Sequence, residues 1–379
     1  MRESLQSRII INLLRGVRAR IYRSFALAIG SWRIMACFIS YPLFFVMAWL
    51  AKRLTNFQKR TKPHLLILRF RYYSRGNQEP STEKFHLDET LLDSGMATFT
   101  VKVYESFWPQ PISDFQFLWT CIKACPDAIV MSSWSDKVNQ PSNKLLKLVR
   151  KQFGIRVIIL WWDTCSKSFA NYHLQHFSCA DVNVVLDNPN LEHLRAMIEN
   201  APKVISMWVP QTPRLFQKME TKEIDLAFLG QISNYRSNRA EYIDHLKESL
   251  TELKLYFSTN DRAKQPSHSE YASILSRSKM SVNFSYSVDG HQLKGRVFDV
   301  TLAGGLLFES ENTQISQLFC PMEDYVPFTS KEDLVAKIRY FHRNEEKRNK
   351  IAQNARAKVL AKYGPEMFWS KVLGEAGCI

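Results

Sequence analysis

From residue 62 onward the chain alternates between two patterns. Short, nearly continuous apolar runs predict buried strands, and stretches with apolar residues three and four apart predict helices. Strands are expected at His64–Phe70, Ala97–Val103, Ala128–Met131, Ile155–Leu160 and Val182–Leu186. Helices are expected at Ile112–Ala124, Ser142–Phe153, with Ser142 as the cap, and Asn171–Ser178. Arg71–Asp93 is polar and irregular and reads as a long loop or an insertion. Strand alternating with helix in this way predicts a parallel sheet with crossover helices.

A proline-bracketed bridge, Trp208–Pro213, follows, and then the alternation restarts. Strands are expected at Asp225–Leu229, Leu253–Phe257, Met280–Phe284 and Leu306–Phe308. Helices are expected at Arg239–Ser249, Ser269–Arg277, Gly295–Leu302, Lys331–Phe341 and Glu345–Tyr363, with a last amphipathic helix from Pro365. The reading is an α/β protein of two Rossmann-like domains, 63–215 and 216–364, with helix 365–379 packing back on the first. Ligands of such sheets bind at the carboxyl ends of the strands.

Residues 1–62 follow a different pattern. Ile10, Leu13, Leu14, Val17, Ile21, Phe25 and Ala28 fall on one helical face, with Arg8, Arg15, Arg18 and Arg23 opposite; Ile9 and Arg20 break the pattern. A basic amphipathic helix of this kind lies in a lipid interface; the plainer alternative is a helix packed on the protein body with a solvated basic face. Ile34–Leu50 then runs for 17 residues without a charge, interrupted by Ser40, Tyr41 and Pro42, with Trp32 and Trp49 at its ends. That is marginal for a span, which needs about 20 apolar residues. Both flanks are basic, so a shallow hairpin or re-entrant helix bent near Pro42 is the favoured form. No cleavable leader is expected, because the apolar run starts late and no small-residue cleavage site follows it.

Charge supports this division. The net charge is +15 over 379 residues, yet residues 1–62 hold 12 Lys/Arg and one acid, leaving +4 for the rest. A basic end beside an apolar run points to anionic lipid rather than nucleic acid, and the body has no recognisable nucleic-acid reader motif. The seven cysteines form no CxxC pair, which suits free thiols in a reducing compartment.

The stretch richest in chemistry is His291–Gly305. Lys294 and Arg296 stand at the start of an expected helix, where backbone N–H groups add partial positive charge. Together they suit a diphosphate. Asp299, one turn on, suits a ribose diol, and Gly304-Gly305 permits a tight turn and a close approach to ligand. The plainer alternative is a solvated basic pair, an ordinary helix acid and a glycine C-cap. Asp163, on the loop after the fourth expected strand, is the candidate general base, with His173 and Asp136 as weaker ones. A turn or N-cap acid is the alternative for Asp163. No metal-ligand cluster stands out.

Tyr271–Tyr363 resembles the C-terminal domain of group 1-like glycosyltransferases of the spore-maturation-protein type. The resemblance is carried by Tyr271 and Leu275; Ser278, Lys279 and Asn283; Lys294, Arg296, Phe298 and Asp299 with Ala303-Gly304-Gly305; and Asp324, Tyr325 and Phe328. It implies the two-domain GT-B fold with a sugar nucleotide in the C-terminal domain and no metal or cofactor. It further implies that Lys294 and Arg296 neutralise the diphosphate, that Asp299 takes the ribose, and that Gly230 sits under the phosphates. The sequence departs from the family twice: Asp299 replaces a Glu, and His291 stands where related retaining enzymes carry an acid, which makes it the second catalytic candidate. Retention therefore does not follow. The expected function is transfer from a nucleotide-diphosphate sugar to a membrane-proximal or lipid-linked glycan on the cytoplasmic face of a membrane. The alternative is a non-catalytic binding or scaffold subunit of a surface-polysaccharide assembly.

Overall fold

The computed structural model describes residues 42–51, 60–71, 80–104, 110–132, 140–164, 176–187, 203–232, 239–258, 265–287 and 290–379. The amphipathic helix expected before residue 30, residues 34–41 of the apolar run, and the weaker candidates His173 and Asp136 lie outside them. Among the described residues no helix is long and apolar enough to cross a membrane.

In chain order the first half comprises helix α1 (residues 42–51), β1 (His64–Phe70), helix α2 (Thr90–Ser94), β2 (Thr98–Tyr104), α3 (Gln110–Ala124), β3 (Ala128–Ser132), α4 (Asn143–Phe153), β4 (Arg156–Trp161), β5 (Val182–Val185) and β6 (Lys203–Ser206). The strands form one parallel sheet in the order β2-β1-β3-β4-β5-β6. Leu65, Leu66, Ile67 and Leu68 of β1 are all buried, the pattern of a strand covered on both faces. Ser142 caps α4 by accepting from the Leu145 N–H.

The second half comprises β7 (Ile224–Phe228), α5 (Arg239–Ser249), β8 (Leu255–Phe257), α6 (His268–Ser276), β9 (Ser278–Asn283), the small antiparallel pair β10 (Tyr286–Ser287) and β11 (Gly290–His291), α7 (Arg296–Leu302), β12 (Leu306–Ser310), β13 (Val326–Phe328), α8 (Lys331–Arg343), α9 (Glu345–Lys362) and α10 (Pro365–Glu375). Its parallel sheet runs β13-β12-β9-β7-β8. Alternate residues of β7 feed two cores. Leu226 and Phe228 pack with Ile243, Leu246 and Ile338, whereas Ala227 packs with Leu275, Val297 and Val300.

Some features depart from the sequence reading. Lys84–Glu89 forms a wide-turn helix that runs into α2, inside the stretch read as a loop. Only Leu87 and Leu91 carry its apolar side, and its acids are held by distant partners: Asp88 by Arg69, and Glu83 by the Phe70 N–H. The short edge strands β6 and β13 were not expected. α10, by contrast, lies on the first sheet, the side on which it was expected: Phe368, Trp369, Val372 and Leu373 join its core and the Trp369 indole donates to Thr90 Oγ1 at 3.1 Å.

The contacts divide the chain into two compact units. One comprises Met1–Gln58, Glu105–Cys125 and Lys137–Gly154, and its described helices are α1, α3 and α4. The other comprises Lys59–Tyr104, Pro126–Asp136 and Ile155–Ile379, and contains both sheets. The division therefore does not follow the boundaries expected at residues 62 and 215.

Candidate active site

Within the larger unit a cavity of about 460 Å³ opens at the carboxyl ends of β4, β5 and β7 and at the start of α7. Asp163, Gly230, Lys294, Arg296 and Asp299 all line it, although the sequence separates the first from the last by 136 positions. Two local devices set the geometry. A capping box at Ser267 and Glu270 starts α6 and fixes the turn that carries Tyr271. The segment before α7 is pinned to the first sheet, where the Leu293 N–H donates to the Asp187 carbonyl at 2.7 Å and Gln292 Nε2 donates to Asp187 Oδ2 at 3.0 Å.

Arg296 is held on several sides. One terminal nitrogen donates to Asn283 Oδ1 at 2.6 Å, and the guanidinium lies 5.5 Å from the centre of the Phe228 ring. Asn283 in turn donates to the buried Glu309 at 2.6 Å, which also accepts from the Ser285 N–H and hydroxyl. A Cβ at Gly230 would stand 2.7 Å from Arg296 Nη2, so glycine there makes room for the guanidinium. Lys294 forms an ion pair with Asp163. Asp163 takes a left-handed backbone, φ 52°, which aspartate tolerates better than most residues, and its side chain is 58% exposed.

Asp299 is buried at the floor. The Tyr271 hydroxyl donates to its Oδ2 at 2.7 Å, while Oδ1 has no hydrogen-bond partner. Burial pushes its carboxyl up to about 7, against the opposing effects of the Tyr271 hydrogen bond and the Arg296 charge. Arg296 Nε, Gln211 Nε2 and His268 Nε2, all from lining residues, are likewise buried without partners. Buried polar atoms are nearly always satisfied, so four such atoms around one cavity mark a place built for a polar ligand.

Asp187, His86 and His268 are among the lining residues that the sequence pattern did not mark. Asp187 follows β5 as Asp163 follows β4, so the strand-end rule could have found it. Burial raises its carboxyl to about 6, and Thr164 and Gln292 each bond one oxygen. His86 and His268 carried no sequence signal. Burial lowers them to about 4 and about 3, so both are neutral at physiological pH. His86 faces the Pro210 carbonyl through Nδ1 at 3.0 Å, and the His268 ring stacks on Phe85 at 4.0 Å between centroids.

Three expected site residues lie elsewhere. Gly304 and Gly305 do not line the cavity. They follow the far end of α7, and seven helical residues at about 1.5 Å each separate them from its start. Gly304 is left-handed, φ 70°, and a Cβ there would meet Lys218 at 2.9 Å, so this glycine serves the turn that ends the helix. His291 is also outside the lining. It sits on β11 with Nδ1 3.5 Å from Thr313 Oγ1.

Residues 212–373 match a family model described as glycosyl transferase-like. The chain has the two-domain GT-B fold. Solved structures share this fold over most of the chain's length. Sucrose-phosphate synthase from Thermosynechococcus elongatus is 12% identical with a TM-score of 0.56, over 83% of this chain and 98% of that one. HepE from Anabaena, solved with UDP-glucose, is 10% identical with a TM-score of 0.55, over 84% and 100%. An alpha-glucosyltransferase, solved with UDP-glucose and DNA containing an abasic site, is 10% identical with a TM-score of 0.60, over 83% and 100%. The sequence matches no curated protein.

Proposed function

We propose that the protein is a glycosyltransferase that binds a nucleotide-diphosphate sugar in this cavity and transfers the sugar to a membrane-proximal or lipid-linked glycan. The observation that carries the reading is the convergence of Lys294, Arg296 and Asp299 with Gly230 and Asp163 on one cavity. Structures with the same fold were solved with UDP-glucose, which supports a sugar nucleotide as donor. Lys294 and Arg296 neutralise the diphosphate and stabilise it as it departs with growing charge. Asp299 Oδ1 accepts from the ribose diol. No metal or organic cofactor enters this reading.

Asp163 is the proposed base for the acceptor hydroxyl. Of the two carboxylates at the strand ends it is the accessible one, because Asp187 has both oxygens engaged. The basic and apolar residues 1–62 support action on the cytoplasmic face of a membrane, where sugar nucleotides are made and a lipid-linked acceptor diffuses in two dimensions.

A calorimetric screen of UDP-, GDP- and other activated sugars, followed by a transfer assay with lipid-linked and short soluble glycans, tests the proposal. The expected result is one preferred donor and a product whose formation is faster with the lipid-linked acceptor. Failure of every nucleotide sugar to bind would sink the donor assignment. Donor binding with equal rates on both acceptors would remove the membrane-proximal acceptor alone.

A further inference from the structure

The smaller unit exposes the wrong residues for water. α1 reads Pro-Leu-Phe-Phe-Val-Met-Ala-Trp-Leu-Ala without a charged residue. Phe44, Ala48 and Ala51 are buried, one side of a helix, while Leu43, Phe45, Val46, Trp49 and Leu50 stand exposed. An all-apolar helix belongs in a core or in lipid. α3 repeats the anomaly. Its buried side includes Ser113 and Asp114, whereas Ile112, Phe115 and Trp119, spaced by three and four, are 41%, 42% and 49% exposed on the opposite side. The two helices meet through the Phe44 and Phe115 rings, 6.4 Å apart. α4 packs on α3, buries Leu145, Leu146 and Val149, and exposes Lys144, Lys147 and Lys151 at the same helical spacing.

Charge and exposed apolar side chains are concentrated together. Met1–Gln58, Glu105–Cys125 and Lys137–Gly154 hold 15 Lys/Arg and three acids, so this unit carries +12 of the net +15. Among the described residues it also carries eight of the fifteen large apolar side chains that stand exposed; the other seven are scattered over the larger unit. Contiguous apolar exposure on a soluble protein marks an interaction surface. Strong basicity beside it selects an anionic lipid bilayer over a protein partner of neutral charge.

We infer that α1, α3 and α4 together form a docking surface for an anionic bilayer, with the α1 and α3 side chains entering the interface and the α4 lysines meeting the headgroups. This rests on the reading that the enzyme works at a membrane. It extends that reading from the N-terminal segment to the crossover helices that link β2 to β3 and β3 to β4.

The test is co-sedimentation of the full-length protein with vesicles of phosphatidylcholine alone or mixed with phosphatidylglycerol. One variant combines Ile112→Ser, Phe115→Ser and Trp119→Ser; a second combines Lys144→Glu, Lys147→Glu and Lys151→Glu. Each basic residue near an anionic surface is worth about fivefold in partitioning, so the charge variant should bind mixed vesicles at least tenfold more weakly. The apolar variant should lose binding to a similar degree and should lose the blue shift of tryptophan fluorescence on vesicle addition. Both should keep wild-type donor affinity and unfolding midpoint. If wild type ignores both vesicles, the membrane reading falls and this surface with it. If wild type binds and both variants bind equally well, residues 1–62 act alone and the surface is overturned. If the apolar variant instead converts a dimer to a monomer with unchanged vesicle binding, the face is covered by a second copy, which also overturns it.

Discussion

Lys294 pairs with Asp163 across 131 positions of sequence, joining the segment before α7 to the loop after β4. The pair sets the candidate general base beside the candidate diphosphate cation. In the donor complex Lys294 would turn to the phosphates, and Asp163 would be released toward the acceptor.

Their variants should therefore behave differently. Lys294→Ala should weaken donor binding by about 1.5–3 kcal/mol, the worth of a charge-assisted contact. Asp163→Asn should leave donor binding near wild type while lowering kcat by a factor of about 10²–10⁴. Calorimetry with a nucleotide sugar and steady-state rates separate the two. A loss of donor affinity in Asp163→Asn at unchanged kcat would make Asp163 a holder of Lys294 rather than a base.

Glu309 should act on the donor without touching it. It accepts from Asn283, whose carbonyl oxygen receives Arg296. In Glu309→Gln an amide NH₂ replaces one accepting oxygen, and the Asn283 amide is no longer fixed. Donor affinity should fall, and Asn283→Ala should lower it by a similar amount. The double variant should lose little more than the worse single one, because residues in one hydrogen-bond chain are not additive. Additive losses would remove Glu309 from the chain that positions Arg296.

What the sequence made legible was local. Arg239–Ser249 and the Ser142 cap follow from periodicity and capping chemistry, and both occur at the expected residues. Lys84–Glu89 and α2 were not legible because their apolar burial rests on Leu87 and Leu91 alone, and Glu83 and Asp88 find partners on β1. β6 has four residues and β13 has three, too short for a period to show. The site divides in the same way. Lys294, Arg296 and Asp299 share one helix start, so their grouping was visible. Gly304-Gly305 shares the motif but lies a helix length away, where the positive φ of Gly304 serves the turn. His86 and His268 enter the cavity from opposite halves of the chain, and spacing carries no trace of such a meeting.

The C-terminal helix should prove essential to the fold. Trp369 is fully buried in the core of the first sheet and donates to Thr90. Trp369→Ala should cost about 3–5 kcal/mol. Urea unfolding followed by circular dichroism measures this. A loss below about 1 kcal/mol would mean that α10 rests on the sheet without supporting it.

The pH dependence of donor binding should trace to Asp299. Its carboxyl is raised by burial from 3.8 to about 7 in the folded protein. Between these values the folded state holds a proton that the unfolded chain has released. Stability should therefore fall as pH rises from about 4 to about 7, by up to about 1.4 kcal/mol for each pH unit. Asp299→Asn should remove its part of that slope, most clearly above about pH 6, because Asp187, raised to about 6, contributes the same sign below it. Donor binding has the opposite sign. A ribose hydroxyl donating to Oδ1 favours the ionised carboxylate, so affinity should rise as pH passes through about 7. A nucleotide sugar is the proper ligand, because its substituted diphosphate does not titrate in this range. Calorimetry in two buffers of different ionisation enthalpy should show proton release on binding below about pH 7, absent in Asp299→Asn. If affinity instead fell with rising pH, Asp299 would bind the donor as a protonated acid, donating to the ligand rather than accepting from it.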